Sequence, residues 1–246
     1  MYDYKESKQR VVVILDSKVD VVKKDTIPSS DSAFTYENGI KAWVGALFVD
    51  IVDSSRLCKS PDKTTAKIFR AFCSEIIAIL KDDENYREIG IRGDCVYCIY
   101  SVNKQNDLVK IFRHAYLINT FMKMLNKLLD KKGYGQIHAG IGLGCGEDLI
   151  IKAGHNGSGI NDKIWIGKAV VDACKLGNTA NRNGIGAITM STLFYDNIID
   201  ILKEENENYS SWIKAHTSSY YGPIDYYHCN IIRNDFNDWI DHGMIN

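Results

Sequence analysis

Proline is scarce in this chain: 3 among 246 residues, too few for a disordered or linker-rich protein. An excess of either charge is also missing, with 30 Lys+Arg against 31 Asp+Glu and a formal net charge of -1. Near-neutrality excludes a polybasic nucleic-acid binder and an acidic tail protein. The longest apolar runs, such as Val11 to Leu15 and Ile76 to Leu80, fall far short of the roughly 20 residues a membrane span needs. The polar start, from Met1 through Lys8, lacks the apolar stretch of a signal peptide. The 7 cysteines are odd in number and scattered, which suits reduced thiols in a cytoplasmic protein better than a disulfide framework. Cys95 and Cys98 have knuckle spacing, but they fall in a strand-like run where residues three apart point to opposite faces. With no second Cys/His pair, zinc is not expected.

What is present is an ordinary globular composition, 45% hydrophobic and 25% charged, in a length that can bury a core. Val12, Leu15, Val19 and Val22 share a helical stripe, so residues 5–24 read as an N-terminal helix, with a strand as the alternative for the β-branched run Val11 to Ile14. Ile27-Pro28-Ser29-Ser30 reads as a linker. Ala42 to Val52 is almost continuously apolar, as in a buried central strand.

The spacing of Ile68, Phe72, Ile76 and Leu80 predicts a helix over 61–81, opened by Pro61 at its first position. Tyr86 to Ile91 and Cys95 to Tyr100 read as two strands joined by a tight turn, and residues 107–130 as an amphipathic helix. A glycine-punctuated strand, Gln136 to Gly146, leads into a glycine-rich arm or hairpin over 148–163. Lys163 to Ile166 reads as a short strand, Ala169 to Leu176 as a helix and Ala187 to Met190 as a strand. Ser191 caps a further helix. The C-terminal part is rich in aromatics, including Trp212, Tyr220, Tyr221, Tyr226, Tyr227 and Trp239, with an edge strand expected over 224–232. The order β-α-β-β-α-β is the split βαβ, ferredoxin-like plan of an α+β fold. The expected organisation is an N-terminal helix and linker (1–40), a core domain (41–200) and a C-terminal extension (201–246) that packs on it.

Two acids stand where chemistry would place them. Asp50 interrupts the apolar strand, and Asp94 sits at the hairpin tip beside it in the split βαβ plan. A lone strand-end Asp more often caps a turn. Two converging carboxylates with a backbone carbonyl instead form a hard-oxygen site suited to Mg²⁺ or Mn²⁺. The turn Asp53-Ser54-Ser55-Arg56 offers N–H groups and hydroxyls to phosphate. The glycines at 140, 142, 144 and 146 do not fit G-x-G-x-x-G, because Cys145 occupies the third glycine slot counted from Gly140. Glycine at alternate strand positions points to close approach of another backbone or subunit.

These features resemble a class III nucleotidyl cyclase. The metal strand of that family is similar to Ala46-Leu47-Phe48-Val49-Asp50-Ile51, its hairpin to Gly93-Asp94-Cys95-Val96, and its glycine strand to Ile137-His138-Ala139-Gly140-Ile141-Gly142. Its signature helix is similar to Gly167-Lys168-Ala169-Val170-Val171-Asp172-Ala173-Cys174-Lys175. The resemblance implies two metal ions, Mg²⁺ or Mn²⁺, on Asp50, Asp94 and the Ile51 carbonyl, with Ser54, Ser55 and Arg56 on the phosphate loop. It also implies a homodimer with active sites at the subunit interface, where Lys168, Asp172 and Lys175 face the partner's metals.

Departures from the family pattern narrow the substrate. The purine-reading Lys or Glu position is Gly90. The ribose-orienting Asn is Val171, followed by Asp172. The transition-state Arg is Lys175, which keeps the charge without the bidentate fork. The pattern is closer to the bacterial Pycsar pyrimidine cyclases, which implies CTP or UTP as substrate and a cyclic product that acts on a separate effector in antiphage defence. Neither nucleic acid nor membrane is expected as a partner. A purine cyclase with an unusual base pocket and a catalytically inactive cyclase-homology dimerisation module stay open as alternatives.

Overall fold

The computed structural model describes residues 2–59, 61–155, 157–218 and 224–245; Tyr220 and Tyr221 lie outside them. Helix α1 (Tyr4–Asp16) and strand β1 (Asp20–Lys23) lead to strand β2 (Asn38–Ile51). Helix α2 (Lys63–Leu80), strands β3 (Tyr86–Arg92) and β4 (Cys95–Ser101), and helix α3 (Gln105–Lys131) follow. Strands β5 (Ala139–Gly154) and β6 (Asn161–Ile166) form a hairpin, then come helix α4 (Lys168–Thr179), strand β7 (Ile188–Ser191) and helix α5 (Thr192–Glu205). The chain ends with helix α6 (Tyr209–Trp212), strands β8 (Lys214–Ser218) and β9 (Ile224–Cys229), and helix α7 (Asn234–Asp241).

The strands make one sheet in the order β3-β4-β2-β5-β7-β9-β8, with β1 on β2 and β6 on β5. β2 runs antiparallel to both β4 and β5, which places it in the interior and explains its unbroken hydrophobicity. Its side chains alternate. Leu47, Val49 and Ile51 face a core shared with Phe72 and Ile76 of α2, Phe112 of α3 and Phe194 of α5. Ala46 packs on the other face with Ala169 and Ala173 of α4.

That second face is where the glycines act. Cβ atoms added at Gly140, Gly142 and Gly144 would overlap the carbonyl oxygens of Gly177, Ala173 and Ala169 respectively. The approaching backbone foreseen from the sequence is thus α4 of the same chain. Alternate strand residues are about 6.6 Å apart and residues four apart on a helix about 6.0 Å, so the two rows match over three successive positions. The N-terminus of α4 is capped across the sheet: its N-cap is Gly167, and Asp148 of β5 accepts from the Ala169 N–H at 3.3 Å. Asp148 is 1% exposed, and burial raises its pKa against the pull of the Ala169, Val170 and Lys168 N–H groups.

Several boundaries differ from expectation. The N-terminal helix stops at Asp16, where Ser17 caps it, and Val21 and Val22 belong to β1 instead. None of the residues of α1 is buried. The expected linker is anchored: Ile27 is 1% exposed, its N–H donates to Ser101 Oγ and its carbonyl accepts from Arg87 Nε. Pro61 precedes α2, whose N-cap is Asp62. The 148–163 arm is ordered pairing of β5 with β6. β9 is not an edge strand, because β8 covers it.

Gly142→Ala should lower the thermal midpoint by about 3–10 °C through overpacking against Ala173. Gly135→Ala, with open space around it, should shift it by less than about 1 °C. Scanning fluorimetry that gave the two variants equal midpoints would rule out the tight contact.

Candidate active site

Asp50 is the penultimate residue of β2 and pairs with Cys95 on β4 and Gly140 on β5. It lies on the face of Gly140 and α4, and its side chain is 18% exposed. Asp94 lies in the β3–β4 turn, where Gly93 takes a φ of 62°. The split βαβ register brings the two acids side by side. Burial raises the Asp50 pKa, the Asp94 carboxylate raises it further, and the Arg182 guanidinium works against both. Arg182 Nη2 donates to Asp50 Oδ2 at 3.2 Å.

Arg182 was not singled out by the sequence. It lies seven residues beyond Lys175, in the turn after α4, outside the family motif that drew attention. The only sequence signal is its setting between two asparagines, residues that tolerate left-handed backbone. Asn181 and Asn183 adopt φ values of 56° and 51°.

The remaining candidates spread around this pair. Ile51 turns its side chain into the core at 1% exposure, which leaves only its carbonyl for a ligand. Ser54, Ser55 and Arg56 lie in a 3₁₀ turn, after Asp53 at a φ of 54°; the Arg56 side chain is 79% exposed and lies 3.7 Å from Asp53. Lys168, Asp172 and Lys175 share one face of α4 at helical spacing. Burial raises the Asp172 pKa, and both lysines oppose that shift. Among the described residues neither lysine forms an ion pair with Asp50 or Asp94 of its own chain. Cys174, on the same helix, is close enough to Asp50 for that charge to add to the effect of burial in raising its pKa.

Gly90 lies under an aromatic ring. A Cβ there would meet the Tyr97 ring and hydroxyl at 2.5–2.6 Å. Tyr97 stacks on Phe48 with ring centroids 5.2 Å apart. Its hydroxyl donates to Glu88 Oε1 at 2.6 Å, and Trp165 Nε1 of β6 donates to Glu88 Oε2 at 2.9 Å. Burial, followed by Glu88, pushes the Tyr97 pKa up.

A divalent cation fits the acid pair. Two carboxylates are held together in a half-buried place with a single guanidinium, which leaves one negative charge formally uncompensated. No group of three or more His, Cys, Asp or Glu residues converges among the described residues. A cation at Asp50 and Asp94 would therefore complete its shell with backbone carbonyl, water and substrate phosphate, the habit of Mg²⁺. Two clefts of about 1030 and 590 Å³ lie elsewhere, among residues of α3 and the C-terminal part. Asp50 and Asp94 line neither.

Comparison with known proteins gives the family. A uridylate cyclase from Treponema porcinum is 41% identical over 246 residues, covering 99% of this chain and 82% of the relative. The chain belongs to the class III nucleotidyl cyclase family. A second uridylate cyclase, from Gulbenkiania mobilis, is 28% identical to it over 98% of this chain and 96% of the relative. The crystal structure of the adenylyl cyclase CyaB from P. aeruginosa superimposes on the cyclase with a TM-score of 0.63 at 18% identity, over 80% of this chain and 98% of the other. A guanylyl cyclase structure gives a TM-score of 0.62 at 12% identity, over 81% and 97%. At such low identity the structures speak for the fold alone. No protein-family model matches the cyclase. No helix among its described residues is long and apolar enough to cross a membrane.

The raised Asp50 and Asp148 pKa values fix the sign of a pH effect. Folding favours their protonated forms, so the metal-free protein should lose stability as pH rises from about 4, the ordinary carboxylate range, through the folded values. Asp50→Asn removes one such burden and should raise the midpoint of EDTA-treated protein at pH 7 by about 2 °C or more. An unchanged or lower midpoint would mean that the Arg182 contact outweighs burial and Asp94.

Proposed function

We propose that the cyclase converts a pyrimidine ribonucleoside triphosphate, UTP or CTP, to the 3′,5′-cyclic mononucleotide and pyrophosphate. The observation that carries this reading is the Tyr97 ring over Gly90. The position of the family's purine-reading side chain has no side chain of its own, and the space above it holds a phenol fixed by Phe48 and Glu88. That wall shortens the base pocket, which favours a one-ring base over a two-ring base. The names of the two uridylate cyclases favour UTP over CTP.

In this reading Asp50, Asp94 and the Ile51 carbonyl hold Mg²⁺ or Mn²⁺, two ions in the family scheme. The ions supply charge that favours the ionised 3′-hydroxyl and neutralises the triphosphate. The protein's own contribution is positioning and electrostatics. The 53–56 turn offers Ser54, Ser55 and Arg56 to the phosphates. Lys168, Asp172 and Lys175 of one subunit face the carboxylates of the other in a homodimer, and Lys175 contributes charge to the transition state. The fit of this arrangement is that α4 presents its charges outward while its small residues pack on the sheet. The cyclic product acts on a separate effector as the signal of an antiphage response, as in the pyrimidine cyclases that the sequence resembles.

Purified protein given Mn²⁺ and each of the four ribonucleoside triphosphates separately should yield a cyclic pyrimidine nucleotide, identified by mass. A purine product alone, or none, would overturn the reading. Asp50→Ala and Asp94→Ala should each abolish turnover while leaving the dimer folded by circular dichroism and light scattering. Tyr97→Ala should narrow the preference for pyrimidine over purine triphosphate by about tenfold or more, given that even one methylene in an apolar pocket is worth about 1–3 kcal/mol of discrimination.

A further inference from the structure

We propose that Arg182 is a catalytic arginine that exchanges partners. It holds Asp50 while the site lacks a cation, and it turns to the triphosphate when a divalent cation takes that carboxylate. The inference rests on reading Asp50 and Asp94 as the cation ligands.

The contact comes first. Arg182 Nη2 donates to Asp50 Oδ2 at 3.2 Å, and the two side chains are 25% and 18% exposed. A divalent cation sits about 2.1 Å from a carboxylate oxygen and repels a guanidinium pressed against the same group. A cation bound through Oδ2 therefore requires Arg182 to yield that oxygen, and Nη2, freed beside a bound triphosphate, finds a phosphate oxygen for a charge-assisted hydrogen bond.

The second support is how the side chain is tethered. Nη1 donates to the Ala180 carbonyl at 3.0 Å and to the Gly177 carbonyl at 3.3 Å. One half of the fork is thus anchored to the end of α4, and the other half is left to change partner. The turn is built to aim it. Arg182 lies between two asparagines in the left-handed region, which that residue type adopts readily and which turns the chain sharply on both sides of it.

The contacts that hold the turn come from the sheet and from the C-terminal part. Asn181 Nδ2 donates to the Ala139 carbonyl at 3.1 Å, and the Asn181 N–H to the Gly186 carbonyl at 2.9 Å. The Gly186 N–H donates to His228 Nδ1 at 3.0 Å and the Ala187 N–H to Asn230 Oδ1 at 2.7 Å. β9 and the residue after it therefore clamp the far end of the turn that presents the guanidinium.

The third support is chemical. The α4 face offers only Lys168 and Lys175, single-point charges. Among the described residues Arg182 is the guanidinium in contact with Asp50, in the same chain as both acids. It supplies the planar fork that Lys175 cannot.

The test uses full-length, EDTA-treated protein and Mn²⁺ as the probe, titrated by calorimetry without nucleotide. Arg182→Ala should bind Mn²⁺ about 5-fold more tightly than wild type, because a competing cation is gone. The same variant should lose about 100-fold or more in kcat with UTP, with a smaller change in KM. Arg182→Lys should keep Mn²⁺ affinity near the wild-type value while turnover stays depressed, and methylguanidinium should partly restore Arg182→Ala turnover. Unchanged or weaker Mn²⁺ binding by a folded Arg182→Ala would overturn the exchange, as would full turnover. If wild type cyclises no triphosphate, the functional reading falls, and the Mn²⁺ comparison by itself still decides the exchange.

Discussion

The close contact of α4 with the glycines of β5 is what the site depends on. Gly140, Gly142 and Gly144 let helix backbone rest on strand backbone, with Ala169, Ala173 and Gly177 as the small residues on the helix side. Dispersion falls off steeply with distance, so side chains of ordinary size on either row would forfeit the contact and lift the helix. With α4 seated, its start is capped by Asp148 and its end delivers the 181–186 turn to Asp50. The opposite face of β5 is conventional. Ile141, Leu143 and Cys145 join the core beneath α3 and α5.

The site is less favourable to the fold than its frame. Asp50 and Asp94 add like charge at a half-buried place, and Asp148 keeps one carboxylate oxygen without a hydrogen-bond partner among the described residues. The core offsets these costs. Natural proteins commonly depart from local consistency where ligands bind. Arg182 reduces the cost at Asp50 without cancelling it, which is the behaviour suited to a placeholder.

Much of the frame was legible in the sequence because it is written in periodicity. The apolar run of β2, the four-residue stripe of α2 and the alternate glycines of β5 each report a geometric need, though the glycines left open whether the approaching backbone belongs to this chain or to another subunit. The acid pair was legible because a carboxylate in an apolar strand is costly. The break between α1 and β1 was hidden, since Val19 and Val22 continue a helical stripe by chance while Asp20 to Lys23 pairs with residues distant in the chain. Ile27 looked like part of a linker because Pro28 and two serines follow it, and its anchors, Ser101 and Arg87, are more than 50 residues away. Arg182 escaped for a similar reason: its importance comes from Asp50, 132 positions earlier, and no local pattern marks it.

The match of spacings between α4 and β5 has a mechanical consequence. A small axial slide would drive helix carbonyls into the Cα row of the strand, and the next comfortable setting is a whole turn away. The helix is therefore indexed to the sheet like a gear tooth, and helix and sheet move as a single rigid body. Within the chain, a rearrangement beside Asp50 then falls to the 181–187 turn that hangs from the end of the helix.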